Sequence, residues 1–228
     1  MGTVATNSAW NDLEKDIERK SLCSRFNTGD ILLYHPKPQL KSISGIFSYL
    51  FEKLIMTVTN SVYSHASLVI RDPTFTTPPL KGLFVLESSY ESFPDVETNE
   101  IKLGVELVHL DDVLHSFHGD IYWRKLECER NDDFYSKLAE AHSVAHNRPY
   151  DLIPSDWFCA ALKLNSGKNQ RVKTFWCSAL VSYVYTQLGF LPSDTPWTLV
   201  SPKMLGTENV EDALKFENCT LIEEFCIT

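Results

Sequence analysis

Three side chains far apart in the sequence could act together as an acyl-transfer centre: Cys177, His65 and Glu87. Cys177 follows Phe175-Trp176 and opens the run Ser178-Ala179-Leu180-Val181, whose apolar residues recur at helical spacing. A thiol at a helix N-terminus meets the positive end of the helix dipole and unsatisfied backbone N–H groups, and both favour the thiolate. His65 sits in Ser64-His65-Ala66-Ser67-Leu68-Val69-Ile70, which alternates as a strand with His65, Ser67 and Val69 on one face. The next strand candidate, Leu83 to Ser88, places Leu83, Val85 and Glu87 on one face. Pairing that sets His65 opposite Glu87 brings the two together, and a slip of one residue turns Glu87 away. In such a trio the imidazole takes the thiol proton, and the carboxylate orients and stabilises the charged ring. Backbone N–H groups at the helix start then stabilise a tetrahedral oxyanion.

The elements needed to position these residues can be read along the chain. Asn11 to Lys20 reads as a solvated helix, Asn27-Thr28-Gly29-Asp30 as a turn and Ile31 to Tyr34 as a short strand. Ile43 to Thr57 is a helix candidate whose stripe Ile43, Ile46, Phe47, Leu50, Leu54 and Val58 is expected to face the core. A proline-containing loop from Arg71 to Gly82 separates the His65 and Glu87 strands. Further strands are expected at Val105 to Leu110 and Ile121 to Leu126. Helices follow over Asp132 to Asn147 and Phe175 to Leu188, the latter closed by Gly189 and Pro192. Cys177, Leu180, Val181, Val184 and Leu188 share one helical face, so the thiol sits at the N-terminal end of the buried stripe. Strands first and helices later suggest an α+β fold with an antiparallel sheet.

The 228 residues fit one domain, and 43% hydrophobic content can build its core. A net charge of -9 and the lack of a basic stripe argue against nucleic-acid binding. The polar start from Met1 to Ser21 shows no signal-peptide core, and the six cysteines (Cys23, Cys128, Cys159, Cys177, Cys219 and Cys226) form no CxxC pair. A reducing, cytoplasmic setting is the expectation. The apolar stretch Ile43 to Val58 is interrupted by Glu52 and Lys53 and is too short to span a bilayer, leaving peripheral membrane contact as the alternative to a core helix.

Each candidate also has a plainer reading. A lone cysteine or histidine on an apolar face is usually packing. His142 and His146, spaced i, i+4, suit zinc, yet no third ligand is evident, and a solvated helix face is the expectation. His115 and His118 read as surface residues near a short helix begun by Asp111-Asp112. Trp197 reads as a core residue, and Cys219 and Cys226 as reduced thiols.

Together, Gly29-Asp30-Ile31-Leu32-Leu33, the His65 strand, Val85-Leu86-Glu87-Ser88, Arg148-Pro149-Tyr150-Asp151 and Phe175-Trp176-Cys177-Ser178-Ala179-Leu180-Val181 resemble the circularly permuted NlpC/P60 group of papain-like proteins. The likeness is strongest to the YiiX-like branch, and the lecithin:retinol acyltransferase-like proteins share the permuted order, with the histidine strand before the cysteine helix. The resemblance spans residues 26–205 of a single domain, 1–228, with an N-terminal helix and C-terminal tail as elaborations. It implies an antiparallel sheet or partly open barrel packed against the nucleophile helix. It also implies Cys177 as nucleophile, His65 as base and Glu87 as its orienter, with Tyr150, Trp176 and Ser64 contacting substrate. The expected activity is that of a cysteine peptidase or amidase acting on a small peptide or acyl-amide, with no cofactor and no metal. The alternatives are a lipid acyltransferase or thioesterase on the same fold and an inactive binding module.

Overall fold

A computed structural model of the chain describes residues 21–38, 43–89, 93–150, 175–207 and 214–227. The expected helix Asn11 to Lys20, Asp151 and Cys159 lie outside these residues.

The class is α+β. Among the described residues, six strands form one sheet: β1 (Ile31–Pro36), β2 (His65–Arg71), β3 (Leu83–Ser89), β4 (Gly104–His109), β5 (Gly119–Arg124) and β8 (Phe225–Cys226). Their order is β4-β3-β2-β1-β5-β8, and every neighbouring pair is antiparallel. Two short strands, β6 (Leu126–Glu127) and β7 (Thr220–Leu221), pair separately. The strand expected over Ile121 to Leu126 thus divides into β5 and β6. The strand expected to reach Leu110 instead stops at His109, because Leu110 begins α2 (Leu110–Ser116). Asp111 and Asp112 occupy the first turn of α2, where carboxylates complement the helix dipole.

Alternation along the strands divides the core into two layers. Ile31, Leu33, Ala66, Leu68, Ile70, Phe84 and Leu86 pack with α3 (Asp132–Ala145) and α4 (Cys177–Gln187). Leu32, Tyr34, Val69, Val85 and Val108 pack on the other face with Leu110 and Val113 of α2. The sheet is therefore covered on both sides, and its central strands are apolar on both faces. The turn at Asp30 ties the layers together. Its buried carboxylate accepts from the Asn27 N–H, the Trp123 indole and the Leu126 N–H, each at 2.9 Å.

Two helices differ from expectation. α1 (Ile43–Thr59) exposes Ile46, Leu50 and Leu54 of the stripe assigned to it. Leu50 and Leu54 are 57% and 51% exposed, while Ile55 and Met56 are buried and Phe51 and Val58 pack against the core. A helix apolar on most of its circumference offers two eligible stripes, and tertiary packing selects one. α4 starts at Cys177 rather than Phe175. Trp176 is its N-cap in extended conformation, and Phe175 forms a bridge to Tyr150. Every residue of α4 from Cys177 to Tyr185 is buried. Among the described residues, no helix is long and apolar enough to cross a membrane.

Candidate active site

The site forms where the β2–β3 ladder ends. Those strands pair from Arg71–Leu83 to Leu68–Leu86 and no further, although β2 begins at His65 and β3 runs to Ser89. Their register lies two residues from the one that sets His65 directly opposite Glu87. A two-residue offset preserves the face, so the pair meets diagonally. The His65 Nε2 and Glu87 Oε2 atoms are 2.7 Å apart.

The start of α4 meets the opened end of this ladder. The buried Ser88 hydroxyl donates to the Phe175 carbonyl at 2.7 Å. Two residues later, Cys177 occupies the first position of the helix, where N–H groups have no intrahelical acceptor. Its thiol hydrogen-bonds the His65 ring and also receives the backbone N–H groups of Ala66 and Ser178. With Glu87 on Nε2, Nδ1 is the ring nitrogen left for sulfur. The imidazole is further held edge-on by the Tyr34 ring, 4.9 Å between centroids, and Tyr34 is anchored by a 2.7 Å hydrogen bond between its hydroxyl and Ser67 Oγ.

Burial opposes charge on both members of the Cys177–His65 pair, but their mutual attraction outweighs it. The Cys177 thiol is lowered by the charge and hydrogen bond of His65, with the two backbone N–H groups adding to the effect. Burial alone pushes His65 down. The Cys177 charge and hydrogen bond, then Glu87, raise it to about 10. Both shifts run in the direction of a thiolate–imidazolium pair.

Behind Glu87 lies a residue that the sequence reading did not single out. Glu106 is its direct cross-strand partner, fully buried, and neither carboxyl oxygen has a hydrogen-bond partner. Burial, followed by the charges of Glu87 and Asp95, raises its pKa to about 9. Glu106 is thus protonated at neutral pH, and the Glu87–Glu106 pair does not set two anions side by side. A carboxylate on the face-mate position of an adjoining strand was the available signal.

A cleft is lined in part by Cys177. Ile55, Val58 and Thr59 of α1 form one wall, and Tyr150, Trp176, Ser178, Ser201 and Pro202 complete it. Tyr150 and Trp176 therefore adjoin Cys177 in the same cleft. Ser64 does not line it: the residue is buried, and its N–H and hydroxyl both donate to the Tyr34 carbonyl. Trp197 stacks on Phe175 and meets Tyr183 edge-on in the core. His115 and His118 are exposed, and neither Cys219 nor Cys226 is in a disulfide.

The expected solvated face at His142 and His146 is not what forms. His142 is 5% exposed, its ring lies against Phe75 at 4.2 Å, and it stacks on His146 at 4.7 Å. Phe75 comes from the loop between β2 and β3, so that loop covers this second histidine cluster. Glu97, from the segment between β3 and β4, stands beside both histidines.

No family model matches the chain, and no curated protein matches it. Among solved structures, the chain is similar to the crystal structure of metalloprotein yiiX from Escherichia coli O157:H7. The TM-score is 0.44 and the identity 16%, over 87% of this chain and 97% of that one.

Proposed function

We propose that the protein is a cysteine-dependent acyl-transfer hydrolase of the permuted papain-like type, acting on an amide bond. The supporting observation is the chain Glu87–His65–Cys177, which ends on a buried thiol at the first position of a helix. The Cys177 sulfur attacks the substrate carbonyl carbon, forming a C–S bond and a tetrahedral oxyanion near the N–H groups of the helix start. The C–N bond then breaks, and the amine leaves with the proton held by His65. Water, deprotonated by His65, cleaves the C–S bond, releasing a carboxylic acid and restoring the thiol. Glu87 holds the ring in the required orientation throughout.

A second reading, transfer of a fatty acyl group from an ester or thioester, is favoured by one observation. The cleft wall is built largely from Ile55, Val58, Tyr150, Trp176 and Pro202. The same helix α1 also exposes Ile46, Leu50 and Leu54 on its outer side. The two readings share every chemical step and differ in what fills the cleft.

Intact-mass measurement after incubation with panels of peptide amides and acyl thioesters tests both. An acyl adduct on Cys177, absent from Cys177→Ala, supports the shared mechanism, and the productive panel identifies the substrate. Turnover that survives in Cys177→Ala sinks both readings.

A further inference from the structure

We propose that Glu97, His142 and His146 form a binding site for a divalent transition-metal ion of the zinc class, separate from Cys177. The two histidines lie one turn apart at the end of α3, so their rings project side by side. Glu97 is delivered by the loop after β3. The Asp95 carboxylate organises that loop by accepting from the N–H groups of Glu97 at 2.8 Å and Thr98 at 3.0 Å. Asp95 Oδ2 also receives the Leu107 N–H at 3.1 Å, which fastens the loop to β4.

The arrangement of the unsatisfied atoms points to an ion. His142 Nε2 and Glu97 Oε2 lie 2.8 Å apart, yet both are buried and neither has a hydrogen-bond partner. They are close without being aimed at each other. His146 Nε2 is 3.3 Å from the same Glu97 oxygen, and all three ligand atoms lie within 4.8 Å of one another. A tetrahedral ion with bonds of about 2.0–2.1 Å holds its ligand atoms roughly 3.3 Å apart. The 3.3 Å edge is what such an ion requires, and the 2.8 Å edge opens by about 0.5 Å to admit it. Burying an imidazole nitrogen and a carboxylate oxygen without partners is costly, and an ion satisfies both at once.

Two imidazoles and one carboxylate suit a borderline ion such as Zn²⁺ better than Ca²⁺ or Mg²⁺, which prefer all-oxygen sites. Three protein ligands leave a fourth position for water. The site has an internal competitor. The Lys102 ammonium stands 3.0 Å from Asp95 Oδ2 and 3.4 Å from His146 Nε2, and His146 Nε2 also lies 3.1 Å from Asp95 Oδ2. Ion binding requires His146 Nε2 to turn from Asp95 and Lys102 towards the ion.

The test is equilibrium binding of Zn²⁺ and Co²⁺ to the full chain, with bound metal quantified after gel filtration. The expected result is one equivalent in wild type and in Cys177→Ala. The Co²⁺ complex should show the visible bands of four-coordination without a sulfur charge-transfer band. His142→Ala should lose the ion, Glu97→Gln should weaken binding at least ~10-fold, and Lys102→Met should bind as tightly or more tightly. Circular dichroism checks that the variants fold. If His142→Ala does not fold, Glu97→Gln and the wild-type Co²⁺ spectrum carry the decision. No saturable binding, a sulfur-ligated Co²⁺ spectrum, or an ion lost in Cys177→Ala but kept in Glu97→Gln overturns the proposal.

Discussion

Two histidine–carboxylate clusters share this molecule, and their geometries differ in kind. In the first, His65 is joined to Glu87 on one nitrogen, and the Cys177 thiol completes the chain. Each proton there has a donor and an acceptor. In the second, His142 and Glu97 approach as closely but leave their polar atoms unsatisfied and convergent. In the two roles we propose, the same residue types are arranged for different chemistry: one cluster for moving a proton, the other for holding a cation. The distinction lies in where the lone pairs point.

The largest expected effect separates the clusters outright. Cys177→Ala should reduce acyl transfer by roughly 10⁴-fold or more and abolish covalent labelling in the cleft. Its thermal stability should remain near that of wild type, checked by calorimetry. Next, Glu87→Gln should lower turnover by about 10²–10⁴-fold, because His65 loses both its orientation and its charge partner. A steady-state assay should show this mainly in kcat.

Glu106→Gln probes the residue behind the first cluster. The folded-state pKa of Glu106 is raised to about 9, from an ordinary value of 4.5. Between those values the folded protein keeps a proton that the unfolded chain releases. Stability from this group is therefore fully present below about pH 4.5 and declines as pH rises towards 9. The glutamine variant should flatten that decline in denaturant titrations across the range. An unchanged slope means that Glu106 does not hold its proton. The smallest effect is expected for Ser88→Ala, which removes the buried hydrogen bond to Phe175 beside the nucleophile. A loss of about 1 kcal/mol in chemical denaturation is expected.

The sequence revealed the first cluster more readily than the second. The period of two along β2 and β3 put His65 and Glu87 on one face. The observed register keeps them there because it differs by an even number of residues. The start of α4 was blurred by two positions, since Phe175 and Trp176 are apolar and neither is of the capping types that mark a helix start. The face of α1 was misassigned because its apolar residues surround most of the helix, leaving the periodicity with no single direction. At the second cluster, the i, i+4 spacing of His142 and His146 was visible, but Glu97 was not. It is brought into place by a loop folded around Asp95 and by pairing that joins residues far apart in sequence.

The central claim is that Cys177 is paired with His65 as thiolate and imidazolium. The most direct measurement is the pH dependence of alkylation at Cys177, followed by peptide mapping in wild type and His65→Ala. Wild-type Cys177 should react in a step well below the ordinary thiol range near pH 8.5, and that step should move up in His65→Ala. A Cys177 profile that matches a free thiol and is unchanged by His65→Ala would contradict the account.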